Sequence, residues 1–515
     1  MSNNIVFKIL SCLALVVLCF ILGAEAAESA MTSLSIVVGV VGTVVMLILG
    51  ARSWMLLFLL PPLLVVLPLP GGLKDIGGGF LVACVVLPYW LFMWGMGYVK
   101  IRWRGLLALD IIFLALLCLM VAAYIKRPVT IQALGLDFDN IGGRVYFIAI
   151  GALVYYLALS LIPISYQNAC KVLNWRIWVA LVCSFIGAGV GLLGFGGGEE
   201  ATETLGEAMQ GSRFGALLSI GTYGSLLIYA LYPLSRILCN PALLMGMLVG
   251  FACIALSGFR SYMALHIWGL TFISFVKKEM TMVICIGLLA YGGLLVLSSS
   301  GTLLSLPHGI QRTLSAIPGM KVSAAARMDA EGSTDWRVVM WEWAMDPRTG
   351  YIKDYIWGDG FGMSQSDQQR RFRAVMRGEK DNFRRLGQEA FAEEGQWHSG
   401  WITAIHRLGI VGMIVVNVFI LYSCLLILRV TISLRRTPLF VPSLVFLMPY
   451  TSDPIAFNLS AGTIDYVLSG VATIGLAKLL FCIAREQGLI IPWTQRKRYV
   501  PLMIEQHGDQ LQQEA

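Results

Sequence analysis

Long stretches of the chain are almost wholly apolar, and the short connections between them gather lysines and arginines. A helix needs about 20 apolar residues to cross the roughly 30 Å hydrocarbon core of a bilayer. Runs that approach this length occur at 6–23, 34–50, 54–69, 78–98, 105–124, 145–164, 178–195, 216–234, 241–257, 263–276, 281–297, 409–428, 439–450 and 463–484, the weakest being 439–450. They predict an all-α polytopic membrane protein with about 14 transmembrane helices. One segment breaks the pattern, because 300–397 contains no run able to cross and is too long for a mere connector. Within it Trp336, Val339, Met340 and Trp343 fall at i, i+3, i+4 and i+7, the spacing of an amphipathic helix. A second, more polar helix is predicted over 365–389. The chain therefore divides into an N-terminal bundle of about 11 helices (1–299), a large extracytoplasmic loop (300–397), C-terminal transmembrane helices (398–484) and a cytoplasmic tail (485–515).

Composition agrees with this division. Of 515 residues 57% are hydrophobic and 13% charged, with a mean hydropathy of +0.75, which excludes a water-soluble main body. The net charge of +8 points to a membrane side rather than to nucleic acid, because the basic residues are unevenly placed. One set of alternate connections holds Lys8, Arg52, Lys100, Arg102, Arg104, Lys171, Arg176, Arg236, Lys277, Lys278, Arg429, Arg435, Arg436 and the basic residues from Arg485 onward. The opposite short connections hold only Lys74, Lys126, Arg127, Arg144, Arg213 and Arg260. Cytoplasmic loops retain Lys and Arg, so both termini are expected in the cytoplasm and 300–397 outside. The acidic stretch 198–208 then falls outside as well. All 11 cysteines lie in predicted spans or near the cytoplasmic face, so no disulfide framework is implied. An A-x-A pattern at Ala24-Glu25-Ala26 follows the first run, and cleavage there would leave thirteen spans.

The most informative stretch is Gln396-Trp397-His398-Ser399, followed after nine residues by Gly409-Ile410-Val411-Gly412. From Trp401 to Leu428 no helix breaker other than glycine occurs, so 398–429 reads as one helix of about 48 Å at 1.5 Å per residue. It overshoots the hydrocarbon, leaving His406 and Arg407 above it and His398 at the outer surface. Gly409 and Gly412 would admit a closely packed neighbour. On the residues alone, His398 reads equally well as a helix-start cap. Asp137 and Asp139 form an Asp-x-Asp that a solvated loop explains better than a metal site. Among the other histidines, His266, His308, His406 and His507 make no zinc spacing with any cysteine. The arginines at 370, 371, 373, 377, 384 and 385, interspersed with Asp367, Glu379 and Asp381, suit a solvated helix face. Within the spans, Asp110 is expected to pair with Arg102 or Arg104, and Lys478 to snorkel toward the nearer surface.

The His-Ser-x9-Gly-x-x-Gly pattern resembles the signature of the O-antigen ligase and O-antigen polymerase superfamily of bacterial membrane glycosyltransferases. Ser257-Gly258-Phe259-Arg260-Ser261 is similar to that family's Ser/Gly-rich Arg motif, Trp336-Arg337-Val338-Val339-Met340-Trp341 to its Arg-x-x-x-Trp segment, and Gly358-Asp359-Gly360-Phe361-Gly362 to its Gly-x-Gly turn. Met413 stands where the ligases often have Thr. The resemblance covers roughly 243–428, the N-terminal half matching only as a set of spans. It implies an enzyme of the bacterial inner membrane that uses no metal or cofactor. The implied donor is an undecaprenyl-diphosphate-linked glycan and the acceptor a glycan, a lipid A-core or a protein. Arginine forks suit a departing diphosphate, and histidine suits a general base near neutral pH. Arg260 and Arg337 are accordingly expected to bind the diphosphate and His398 to deprotonate the acceptor, with inversion at the anomeric carbon. The rival reading is a transporter or lipid-linked sugar flippase, which would carry ionisable residues deep in its spans.

Overall fold

The computed structural model describes residues 44–66, 78–104, 107–129, 143–192, 215–257, 260–362 and 397–490, together with Gly42, Ala392 and Gly395. The first apolar run, the A-x-A pattern, Asp137 and Asp139, the acidic stretch 198–208, the polar helix over 365–389 with its arginines, and the tail beyond 490 lie outside the described residues.

Every described regular element is a helix, as expected where no water is available to pair backbone N–H and C=O groups. In chain order they are α1 (Leu56–Val66), α2 (Gly78–Gly95), α3 (Ala108–Lys126), α4 (Gly143–Leu161), α5 (Tyr166–Leu192), α6 (Gly215–Leu231), α7 (Pro241–Leu256), α8 (Arg260–Lys277) and α9 (Met280–Ser299). After them come α10 (Ala324–Met345), α11 (Gly400–Ser433), α12 (Phe440–Phe446) and α13 (Ile464–Glu486), with short turns between. Among the described residues, 6 helices are long and apolar enough to cross a membrane: Val44–Pro62, which includes the start of α1, then α3, most of α5, α9, α11 and α13. Shorter apolar helices make up much of α2, α4, α6 and α7.

Helix α3 illustrates how these segments pack. Leu109, Phe113, Leu116, Met120 and Ala123 form a buried stripe at helical spacing. On the opposite face Ile111, Leu114, Val121 and Ile125 are 57–73% exposed, an apolar surface suited to lipid. Helix α13 is the central post, packed against α4 and α11, and α11 leans in turn on α3. Helix α9 stands at the other extreme, its main contacts among the described residues being with α8 and with the turns over 302–321 that follow it.

Four expectations change. The run 439–450 yields only the seven-residue α12, about 10 Å long and too short to cross. It continues as a 3-10 turn (Met448–Ser452), a short helix (Asp453–Ile455) and a π turn (Ala456–Ala461), a discontinuous helical path whose prolines at 449 and 454 supply no N–H. Lys171 and Arg176 sit within α5 rather than in a connection, and the Arg176 guanidinium lies 4.6 Å over the Phe446 ring.

Asp110 pairs with neither Arg102 nor Arg104. Its Oδ1 accepts hydrogen bonds from the Lys478 ammonium at 2.5 Å and the Tyr156 hydroxyl at 2.7 Å, and its Oδ2 accepts the Leu107 N–H at 2.6 Å. Lys478 does not snorkel, being 2% exposed, and it also donates to Ser160 Oγ. Arg102 and Arg104 instead meet Glu486 at the end of α13, at 3.3 and 3.8 Å. Removing one member of a buried pair strands a charge, at about 3–5 kcal/mol, whereas removing both is often close to neutral. Lys478→Met should therefore lower the thermal midpoint of the purified protein sharply, and adding Asp110→Asn should recover most of the loss. A double variant no better than Lys478→Met alone would show that the pair is not energetically coupled.

Candidate functional site

The helix expected over 398–429 starts at Gly400 and is broken at Gly409, whose φ of 72° and ψ of −179° lie in a region open essentially to glycine alone. The break frees backbone groups on both sides, and the 354–360 turn pairs with them. Asp359 and Gly360 N–H groups donate to the His406 and Arg407 carbonyls at 2.7 and 3.1 Å, while the Ile410 N–H donates to the Tyr355 carbonyl at 2.8 Å. The close approach needs both glycines. A Cβ on Gly409 would collide with the Ile356 carbonyl, and one on Gly358, itself at φ +75°, with the Gly409 nitrogen. Gly409 thus admits a loop rather than a helix. Gly412 faces its own chain, since a Cβ there would collide with that of Leu408.

His406 and Arg407 are not presented to solvent, being 6% and 7% exposed. Arg407 Nη1 donates to the Gly360 carbonyl at 3.1 Å. His406 Nδ1 accepts the Trp397 indole N–H at 3.1 Å, and its Nε2 lies 3.6 Å from Asp359 Oδ2. Asp359 also accepts the N–H groups of Lys353 and Asp354, so its carboxylate shapes the turn that docks on the break. Lys126, at the end of α3, bonds the Asp354 carboxylate and the Gly358 carbonyl, each at 2.6 Å. That ammonium is the main reason the Asp354 carboxyl titrates below its ordinary range.

Immediately before α11, Trp397 is fully buried in a small cluster with Met340, Ala344, Ile352, Ile402 and Ile405. The Trp341 indole N–H donates to its carbonyl at 3.0 Å. These contacts confirm α10 as amphipathic and fasten it to the first turns of α11. Next to this anchor His398 is held at φ 48°, a left-handed conformation uncommon for any residue but glycine. Its half-buried ring meets Trp336 edge to face, with centroids 4.9 Å apart. Ser399 caps no helix N–H with its side chain, and its Oγ donates to the Asn458 carbonyl in the π turn at 2.9 Å.

Helix α10 is the meeting place of the expected residues. Arg260, the first residue of α8, donates from Nη2 to the Ala330 carbonyl at 3.2 Å. Arg337 lies on the same helix two turns further along, about 10 Å by helical rise, and directly follows Trp336. Arg260 and His398 thus each contact α10, the helix that carries Arg337. Among the described residues no three His, Cys, Asp or Glu side chains group as metal ligands. Sequence reasoning had Asp359 only as part of a Gly-x-Gly turn and gave no role to Lys126 or Asp354, because all three act through the break at Gly409. No family model matches the chain, and no curated protein matches it.

Two substitutions test this geometry. Gly409→Ala combines a strain of about 1–3 kcal/mol with a backbone collision, so a lower thermal midpoint and faster proteolysis of the 300–397 region are expected. Asparagine tolerates the left-handed conformation better than alanine. His398→Asn should therefore be more stable than His398→Ala, and equal midpoints would argue against strain at this position.

Proposed function

We propose that the protein is a membrane glycosyltransferase of the O-antigen ligase or polymerase type, acting at the outer face of the bacterial inner membrane. The observation that carries the reading is the convergence of Arg260 and His398 on α10, the helix that bears Arg337. In this reading the chain crosses the membrane about 14 times with both termini in the cytoplasm. The large loop 300–397 lies outside, where nucleotide sugars are absent and the donor arrives activated on undecaprenyl diphosphate. Arg260 and Arg337 hold the diphosphate as its charge grows. His398 takes the proton of an acceptor hydroxyl while that oxygen bonds the anomeric carbon. The carbon–oxygen bond to phosphate breaks on the opposite face, which inverts the centre and releases undecaprenyl diphosphate. The acceptor is a glycan, a lipid A-core or a protein. No cofactor or metal takes part.

A transporter or flippase reading draws on the discontinuous segment beyond α12, because interrupted helices at membrane depth often line substrate paths. The proposed residues separate the two readings. General-base removal costs about 10²–10⁴-fold in rate. His398→Asn at normal abundance should abolish polymer formation from added lipid-linked donor, and wild-type activity should fall at acidic pH as the imidazole protonates. Loss of an anion-binding donor costs on the order of 10²-fold, and Arg337→Lys should rescue little because a point charge cannot reproduce the fork. Normal turnover in His398→Asn, or a product that retains anomeric configuration, would overturn the mechanism. Glycan analysis of a deletion strain assigns the acceptor: missing anchor, unpolymerised repeats and unmodified protein are three different outcomes. For topology, in a Cys-free background a cysteine at Ser333 should react with a membrane-impermeant maleimide in intact spheroplasts, and one at Gln510 should not.

A further inference from the structure

A cavity of about 310 Å3 lies where α5, α6, α8 and α13 surround the interrupted segment that follows α12. Its size is at the lower end of the roughly 300–1,000 Å3 range of small-molecule sites. Asp453, at the interruption, reaches its wall, with Oδ1 accepting the Tyr466 hydroxyl at 2.7 Å. Arg176 contributes a guanidinium whose buried Nε has no hydrogen-bond partner among the described residues. The rings of Tyr223, Tyr262 and Tyr450 line the same space, with hydroxyls from Thr222, Ser452 and Thr473 between them.

The chemistry of this wall selects its occupant. An isoprenoid or acyl chain would meet Leu226, Leu265, Val445 and Phe446 in this wall but would leave a carboxylate and a guanidinium desolvated without hydrogen-bond partners of its own to offer them. A bound cation would have Asp453 as its only carboxylate among the lining residues. A hydroxyl-rich ring fits each feature: the carboxylate accepts hydroxyl protons, the guanidinium and tyrosine hydroxyls donate, and aromatic faces cover the ring's C–H face. Position points the same way. The wall begins at Tyr262, two residues after Arg260 on α8, and at Tyr466, near the start of α13. From Asp453 the chain runs directly into the π turn whose Asn458 carbonyl holds Ser399, the neighbour of His398.

We propose that this cavity is a saccharide subsite that receives one sugar ring of the donor or acceptor glycan. The identity of that glycan rests on the glycosyltransferase reading, but binding of the ring does not. The test uses the full-length protein in nanodiscs, with saturation-transfer NMR of glucose, galactose and N-acetylglucosamine as probes and mannitol as the open-chain control. At least one ring sugar should give a saturable signal absent with mannitol. Asp453→Asn and Arg176→Met should weaken it about tenfold or more. Tyr262→Ala, at a half-exposed position that leaves the bundle intact, should weaken it several-fold. His398→Asn and Arg337→Ala should bind as wild type. Displacement of the sugar by undecaprenyl-diphosphate-linked N-acetylglucosamine assigns the ring to the donor, and retention assigns it to the acceptor. Absence of binding by all three sugars, or wild-type binding by Asp453→Asn and Tyr262→Ala, overturns the subsite. If the sugars bind as expected while His398→Asn makes polymer normally, the subsite stands and the transferase reading falls. Loss of polymer in His398→Asn without any sugar binding removes the subsite alone.

Discussion

The structure depends on one constraint, that a backbone group taken out of water must find a partner. In an unbroken helix the constraint is satisfied locally, and this is why the apolar runs fold as they do. At Gly409 it is not, and the chain supplies the missing partners from about 50 residues upstream. The 354–360 turn donates to the carbonyls before the break and accepts from the N–H groups after it. Docking of that turn is therefore a completion of α11 rather than a surface contact. It fixes where the rest of the loop lies.

Charge placement follows the same logic at both ends of the bundle. Asp110 and Lys478 neutralise each other between α3 and α13, with Tyr156 and Ser160 filling their remaining hydrogen-bonding capacity. At the opposite end Arg407, His406 and Asp359 are enclosed around the break, each bonded to backbone or to a ring nitrogen. Burying such groups is tolerable only because their partners are in place. The first set ties helices to one another, and the second ties the loop to a helix. Only the second lies beside His398.

The helical class and the positions of α3, α11 and α13 were legible in the sequence because hydrocarbon imposes length and apolarity directly. The amphipathic spacing at Trp336, Val339, Met340 and Trp343 located α10 for the same reason. Partner choice was not legible. Asp110 had basic neighbours six and eight residues away, yet it pairs with a lysine 368 residues distant because helix packing, not sequence distance, decides which charges meet. Gly409 carried a signal, a glycine pair in an apolar helix, but the pattern serves helix packing as readily as a break. Asp453 was passed over because the apolar run ends at Tyr450. Only the packed structure carries the helical path onward through a 3-10 turn and a π turn.

Arg260, Arg337 and His398 are legible as a set only through motif order, and the fold supplies a physical reason for their association. Each of them touches or sits on α10, which is not itself a membrane-spanning helix. Its placement comes from two kinds of contact. The Ser323 cap and the Asp329 contacts with His308 and Arg312 hold its first turns. The apolar cluster around Trp397 holds its last turns against α11. Between those anchors Ala330 offers its carbonyl to Arg260, and Trp336 offers its ring to His398. Arg337 is thus placed by loop packing, whereas Arg260 is carried by α8 of the bundle and reaches α10 from there. The left-handed backbone at His398 fits this arrangement, since Trp397 is locked on one side and Ser399 on the other. The single residue between two fixed neighbours has to adopt whatever conformation joins them.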